Sequence, residues 1–259
     1  MTEAEEKRAY RFKGRTAIVT GAASGIGRAS AVGLAVEGSN VAICDLNEEG
    51  LKSAEAEILA LGRKCHRGKV DVSRKDEVFS FAAAAAAALG PVDILVNNAG
   101  TGQFVPFAMM EDEEYDRVMD INVRSIFHFS RAVLPSMMDR DYGKIVNITS
   151  IMSVIAGQGQ SIYNASKGAA KMMTQGMAAD LAGYRINVNA VGPGMVLTGL
   201  TKNMLGDPDQ AAEFEAKIPA RRIATPGDIA AGVLFLCSDA AAYVNGETLF
   251  IDGGMICTR

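Results

Sequence analysis

The chain has 259 residues, four cysteines and a formal net charge of -4. A chain of this mass buries roughly 70% of the surface that its unfolded form exposes, so it does not need disulfide bonds to fold. Its 26 basic and 30 acidic residues leave no basic excess of the kind that binds nucleic acid. The cysteines form no C-x-x-C pair, and only His66 and His128 could join them. The sequence therefore predicts neither a zinc site nor a disulfide framework.

Residues 1–12 are mostly charged or polar, and we expect a flexible N-terminal tail rather than a signal peptide or an anchor. The longest uncharged run lies between Lys144 and Lys167. Its amide and hydroxyl side chains would be unpaired in hydrocarbon, so the run is interpreted as the interior of a soluble protein without a membrane span. Together with the unpaired cysteines, this predicts a cytoplasmic protein.

Short apolar runs alternate with longer helical stretches from residue 16 onward. Predicted strands cover residues 16–20, 40–45, 64–70, 92–97, 144–149, 186–191 and 247–252, and predicted helices cover 27–37, 48–61, 75–89, 111–138, 161–182 and 226–238. Near-continuous apolarity is typical of strands covered on both faces. The pattern predicts an α/β fold, a single doubly wound parallel (Rossmann) sheet over residues 13–259. The long connection near residues 195–222 predicts a small helical substrate lid.

A glycine-rich turn, TGAASGIG at residues 20–27, follows the first predicted strand. Gly21 would permit the tight turn, Gly25 the approach of backbone amides to a pyrophosphate, and Gly27 close packing of helix and strand. A structural loop is the alternative. Asp45, at the end of the second strand, would accept hydrogen bonds from both ribose hydroxyls and repel a 2′-phosphate. With Leu46 beside it and no basic residue in that turn, the sequence predicts NAD in preference to NADP.

Tyr163 and Lys167 stand at i and i+4, on one face of a predicted helix. Moving the pKa of a tyrosine from about 10 to neutrality needs about three pKa units, or roughly 4 kcal/mol. A lysine charge in a partly desolvated site can supply an effect of that size. Tyr163 would then exchange a proton with a substrate oxygen while a hydride moves to or from the cofactor. Ser150, at the end of the fifth strand, would orient that oxygen.

Taken together, TGAASGIG, NNAG (97–100) and YNASK (163–167) resemble the short-chain dehydrogenase/reductase family, and the resemblance covers residues 12–254. It implies that Tyr163 is the acid/base and that Lys167 binds the nicotinamide ribose and lowers the phenol pKa. Ser150 would hold the substrate oxygen, and Asn122 would hold a water that relays protons to Lys167. Asp71 resembles an adenine contact, although a strand-end cap ahead of Ser73 is an alternative. The other implied cofactor contacts are Ser24, Ile26, Val72, Asn98, Ala99, Gly100, Pro193, Val196 and Thr198.

The predicted activity is a metal-independent hydride transfer between NAD(H) and a secondary alcohol or ketone, with a sugar, polyol or sugar acid as the expected substrate. The C-terminal third resembles the family's sugar, polyol and gluconate dehydrogenases, and also its 3-oxoacyl carrier-protein reductases. Asp45 disfavours the second group, whose members usually use NADP. A non-catalytic NAD-sensing scaffold is the alternative from another class. The final strand resembles one that lies at a subunit interface in tetrameric members, so a homotetramer is expected. Candidate substrate contacts are Met152, Gln158, Gln160, Met195 and Leu197.

Overall fold

Parallel strands with helices on both faces dominate the computed structural model, which describes residues 11–258 and, of residues 203 and 204, only the backbone. Within those residues a seven-stranded sheet has the order β3-β2-β1-β4-β5-β6-β7, and every neighbouring pair is parallel. The strands are Thr16–Thr20 (β1), Asn40–Asp45 (β2), Cys65–Lys69 (β3), Ile94–Asn97 (β4), Gly143–Ile148 (β5), Ile186–Pro193 (β6) and Thr248–Ile251 (β7). The predicted doubly wound fold is confirmed.

The α-helices that follow these strands cover both faces of the sheet. They are Gly25–Val36 (α1), Glu48–Ala60 (α2), Lys75–Leu89 (α3), Asp112–Met119 (α4), Ser125–Asp139 (α5), Ser161–Asp180 (α6), Lys202–Leu205 (α7), Pro208–Lys217 (α8) and Pro226–Cys237 (α9). One apolar core joins α1, α2 and α9 to the sheet through residues such as Leu34 and Val233. A second core joins α3, α5 and α6 to the opposite face through residues such as Phe81 and Phe129. Each strand between the two cores is therefore apolar on both sides.

The segment predicted as one helix over residues 111–138 is interrupted. A π turn at Asp120–Arg124 separates α4 from α5. A π turn inserts one residue into the helical ladder and is frequent at functional sites. Asn122 lies in this turn and is buried.

The described fold already includes Phe12, which belonged to the predicted tail. Its side chain is 2% exposed, and its backbone N–H donates to Glu37 O at 2.8 Å. Residues 1–10 of the predicted tail lie outside the described residues.

The predicted lid contains α7 and α8, and its two ends are joined at the base. Val196 and Ala224 form a short parallel bridge. Leu197 N donates to Ala224 O at 2.9 Å, and Ala224 N donates to Met195 O at 3.0 Å. The predicted lid is therefore a segment closed at its base on the carboxyl end of β6.

Candidate active site

A cleft of about 500 Å³ lies along the carboxyl ends of several strands, where parallel α/β sheets bind ligands. Many predicted catalytic and cofactor residues line it: Gly21, Ser24, Gly25, Ile26, Asp45, Asn98, Ala99, Gly100, Ser150, Tyr163, Lys167, Pro193, Val196 and Thr198. An adjoining cavity of about 270 Å³ shares Asp45 with this cleft and is also lined by Leu46, Asp71 and Val72. Neither cavity is lined by Gly27 or Asn122, which lie behind their walls.

The glycine-rich turn closes tightly over the start of α1. Gly21 has a φ of 63° and Gly25 a φ of 55°, a region that glycine enters without the penalty of a Cβ. A Cβ on Gly27 would lie 2.2 Å from Gly21 O. Asn98 clamps the turn from β4, since its Nδ2 donates to Thr20 O at 2.9 Å and to Gly21 O at 3.0 Å. The turn thus brings backbone to backbone and aims the N-terminus of α1 at the cleft, which suits a phosphate.

Asp45 is held by backbone amides at the end of β2. Its Oδ2 accepts from Ala23 N at 3.1 Å, and its Oδ1 accepts from Asn47 N at 3.0 Å. The carboxylate is therefore fixed at the junction of the two cavities. At the next strand, Asp71 Oδ1 accepts from Ser73 N at 3.0 Å and from Ser73 Oγ at 2.6 Å. Asp71 therefore caps the turn before α3 as well as lining the smaller cavity.

Ser150, Tyr163 and Lys167 converge in the larger cleft. Ser150 Oγ accepts from Met152 N at 3.1 Å, which leaves its O–H able to donate. Lys167 Nζ donates to Ile148 O at 3.0 Å and lies 5.8 Å from the centroid of the Tyr163 ring. One turn of α6 therefore brings the phenol and the ammonium together, as the i, i+4 spacing predicts.

Burial governs the protonation of this pair. It raises the pKa of Tyr163 above 10.0, while hydrogen bonding with Ser150 lowers it by a smaller amount. Burial also lowers the pKa of Lys167 from 10.5 to about 8. The resemblance implies a lowered phenol pKa, whereas the protein alone raises it, because desolvation of the phenolate outweighs the hydrogen bond.

Asn122 ties the loop after β4 to α6. Its Nδ2 donates to Thr101 O at 3.0 Å and to Ser166 Oγ at 2.9 Å, and its Oδ1 accepts from Thr101 N at 2.8 Å. A Cβ on Gly100 would lie 3.3 Å from Asn122 Oδ1 and 3.4 Å from Lys167 Nζ. The Asn122 amide thus lies behind Gly100, close to the lysine.

Gln103 is a buried neighbour of the site that sequence reasoning missed. Its Nε2 donates to Val105 O and to Gly159 O, each at 2.7 Å. Its Oε1 accepts from Tyr163 N at 3.3 Å. No sequence motif marks it, because its role depends on two loops that meet only in the folded chain. Further lining residues outside the predicted set include Thr101, Ile148, Thr149, Gly194, Gly199, Leu200 and Thr201.

A third cavity, of about 240 Å³, adjoins Ser150 and Tyr163 and is lined in part by residues of the predicted lid. Ser150 and Tyr163 line both this cavity and the larger cleft. Of the candidate substrate contacts, Met152, Gln160 and Met195 line this 240 Å³ cavity, whereas Gln158 and Leu197 do not.

The described residues contain no group of three or more His, Cys, Asp or Glu side chains placed to hold a metal ion. Among the helices of residues 11–258, none has both the length and the apolarity needed to cross a bilayer.

A doubly wound sheet with a glycine turn and a buried Tyr–Lys pair at its carboxyl edge defines a class of dinucleotide-dependent oxidoreductases. The family model described as enoyl-(acyl carrier protein) reductase matches residues 21–256. The chain belongs to the short-chain dehydrogenase/reductase family, whose members are NAD(P)-dependent oxidoreductases.

Three proteins that are similar to this chain are named for different substrates. A 3-oxoacyl-[acyl-carrier-protein] reductase from Thermotoga maritima is 35% identical over 95% of this chain and 99% of its own. A cyclopentanol dehydrogenase from a Comamonas species is 38% identical over 94% and 98%. The crystal structure of a gluconate 5-dehydrogenase from Burkholderia cenocepacia, in complex with NADP and tartrate, superposes with a TM-score of 0.91 at 34% identity and covers 98% of this chain and 99% of that one.

Proposed function

We propose that this protein transfers a hydride between NAD(H) and a secondary alcohol or its ketone, with Tyr163 as the acid/base. One observation carries the proposal: Ser150 and Tyr163 line both the 500 Å³ cleft and the 240 Å³ cavity under the lid. Hydride transfer needs a cofactor and a substrate side by side with a proton donor between them. The two cavities and their shared wall provide that arrangement.

The larger cleft fits a dinucleotide. Its glycine turn leaves no room for a Cβ at Gly27, and the start of α1 faces the space that a pyrophosphate would fill. Asp45 would hold the adenosine ribose, and Lys167 the nicotinamide ribose. Thr198, which lies 3.3 Å from a Cβ built on Gly25, would hold the carboxamide end. When bound, the nicotinamide ring supplies the hydride donor or acceptor.

The chain's own groups would handle the proton. Tyr163, its pKa raised by burial, is a phenol at neutral pH and would donate to a ketone oxygen held by the Ser150 hydroxyl. Lys167, with its pKa lowered to about 8, is still mostly ammonium at neutral pH and would stabilise the phenolate that forms. In the oxidative direction the same phenolate would accept the alcohol proton. Asn122 would complete the tetrad by ordering a water toward Lys167.

NAD is the proposed cofactor in preference to NADP. The support is the fixed Asp45 carboxylate, which would repel a 2′-phosphate. Two basic groups on adjacent elements are in ion pairs: Lys69, opposite Asp45 in the sheet, lies 3.1 Å from Glu48, and Arg28 of α1 pairs with Glu57. A 2′-phosphate on that ribose would lie beside the Asp45 carboxylate.

The relatives and the pocket support a range of candidate substrates. The similarity to gluconate 5-dehydrogenase supports sugars, polyols and sugar acids as candidates. The similarity to cyclopentanol dehydrogenase supports small alicyclic alcohols. The Thermotoga relative favours a second candidate, 3-oxoacyl carrier-protein reductase. An acidic carrier protein would need exposed basic side chains near the site, but Arg124 pairs with Asp120 at 2.9 Å. We therefore keep this candidate second.

A homotetramer in the cytoplasm is the proposed setting. The support for the assembly is β7, which is the edge strand of the sheet and pairs only with β6 in the described part of the chain. Light scattering after size exclusion would give about four chain masses if the proposal is correct, and one or two if it is not.

A screen of secondary alcohols with NAD⁺, and of ketones with NADH, tests the proposed function. Absorbance of NADH is the readout, and a substrate-dependent rate is expected. If NADH binds in a calorimetric titration and no compound turns over, the protein is a cofactor-binding scaffold instead.

A further inference from the structure

The 240 Å³ cavity under the lid, here called the lid pocket, has an apolar lining. Its side chains include Phe104, Met152, Met195, Leu200, Phe214 and Met255. No Asp, Glu, Lys or Arg among the described residues lines it. Its volume is below the range of about 300–1,000 Å³ typical of pockets for drug-sized ligands. The lid pocket is thus small as well as apolar.

Few polar side chains of the lid pocket remain for a substrate. Beyond Ser150 and Tyr163, the polar side chains are those of Gln160 and Thr201. The Thr201 hydroxyl donates to Val196 O at 2.5 Å and accepts from Thr198 N at 3.0 Å, so it is used within the lid. The Gln160 amide is therefore the main polar side chain that could bind a part of the substrate other than its reacting oxygen.

We propose that the substrate is an uncharged, compact, mostly hydrocarbon secondary alcohol or ketone, of the alicyclic kind, and that the lid pocket discriminates against sugar acids. This inference rests on the proposed hydride transfer and narrows it. A carboxylate entering the lid pocket would lose its water without gaining a cation. Each additional sugar hydroxyl would also need a hydrogen-bond partner, and the lining offers one side-chain amide.

The affinity of an alicyclic ring comes from the same lining. Methionine side chains adapt their shape to small apolar ligands, and aromatic side chains add buried hydrocarbon area. Met152, which follows β5, Met195, at the base of the lid, and Phe214 of α8 all line the lid pocket. The reacting oxygen would face Ser150 and Tyr163, and the hydrocarbon ring would face the methionines.

The test compares cyclohexanol with D-gluconate, using the full chain with NAD⁺ and measuring kcat/KM for each. Because an apolar pocket rejects even one added hydroxyl by up to about 100-fold, a preference of at least about 100-fold for cyclohexanol is expected. Equal or better use of D-gluconate overturns the inference and leaves the proposed function intact.

A binding measurement separates failure of the inference from failure of the proposed function. The NADH complex is titrated calorimetrically with cyclohexanone and with 5-keto-D-gluconate, which requires no turnover. Preferential binding of cyclohexanone supports the inference even if no compound of the alcohol and ketone screen turns over, a result that would overturn the proposed function alone. Equal binding of the two ketones overturns the inference.

Substitutions at Met195 assign the preference to the lid pocket. Met195→Ala should lower the ratio of kcat/KM for cyclohexanol to kcat/KM for D-gluconate by about tenfold, because hydrocarbon contact is lost. Met195→Arg should raise relative use of D-gluconate by supplying a cation. Met109, 70% exposed and outside the lid pocket, is the matched control, and Met109→Ala and Met109→Arg should leave both values unchanged. Equal effects at the two positions would contradict the assignment.

Discussion

Replacing Gly27 by alanine should disrupt the cofactor turn from inside. The added Cβ would lie 2.2 Å from Gly21 O and 2.4 Å from Asn98 Nδ2, so the turn and its clamp must move apart. The two Asn98 hydrogen bonds to the turn, at 2.9 Å and 3.0 Å, are worth about 1 kcal/mol each. Overpacking adds about 1–3 kcal/mol. We expect the free energy of unfolding to fall by about 3–5 kcal/mol.

Urea unfolding followed by circular dichroism measures this loss, and a calorimetric titration with NADH measures the affinity, which should weaken by at least about tenfold. Gly176→Ala is the matched control, since Gly176 lies within α6 with nothing within 4 Å of an added Cβ. That change should stabilise the helix by about 0.8–1 kcal/mol. If Gly27→Ala has the stability and the NADH affinity of the unchanged protein, the account of the turn is refuted.

Three further predictions concern the ribose site, the lysine and a helix cap. Asp45→Ala should raise the ratio of kcat/KM for NADP to kcat/KM for NAD by about 100-fold, because the hydrogen bonds to the ribose and the repulsion of a 2′-phosphate are both lost. An unchanged ratio would contradict the proposed role of Asp45. The kcat/KM for ketone reduction should decline as the pH rises through about 8. Burial lowers the pKa of Lys167 to about 8, so its side chain is ammonium below that pH and neutral above it. A kcat/KM that stays constant up to about pH 10, the ordinary range of a lysine, would contradict this prediction. Thr225→Ala removes the reciprocal cap that Thr225 and Asp228 form at the start of α9 and should cost about 1 kcal/mol, seen as a fall in Tm of about 2–4 °C; an unchanged Tm would contradict it.

Apolar period and turn chemistry suffice to predict the fold from the sequence. The predicted bounds of β1, β2 and α3 agree with the structure, because those elements are both strongly patterned and fully supported by the cores. The edge strand β3 has the weakest apolar pattern of the predicted strands, and it is half exposed with few apolar residues. Position at the edge of a sheet leaves one side of a strand unpaired, which weakens the apolar pattern.

Local pattern cannot predict the π turn or the placement of Gln103. Residues 111–138 are helical in character throughout, and the extra residue in the ladder is stabilised by contacts of Asn122 with Thr101 and Ser166, which are distant in sequence. Gln103 likewise depends on Gly159 and the backbone of Tyr163. Such contacts exist only after the sheet has brought the loops together.

In the candidate site, too, local sequence predicts some placements and misses those that depend on contacts between distant residues. Motif residues within one turn or one helix face, such as Tyr163 and Lys167, come together as their spacing predicts. Side chains of the lid do not: Met195 lines the lid pocket whereas Leu197, two residues later, is exposed. The lid returns to the sheet through the bridge between Val196 and Ala224, a contact between residues far apart in sequence that no local pattern predicts.

Removing the Tyr163 hydroxyl is the most direct test of the proposed chemistry. Tyr163→Phe should lower kcat by at least about 100-fold, the lower end of what a positioned acid/base contributes, and should leave the NADH affinity unchanged. Tyr184→Phe, at a tyrosine 39% exposed and outside the three cavities, is the control and should retain full activity. Substantial turnover by Tyr163→Phe would contradict the account.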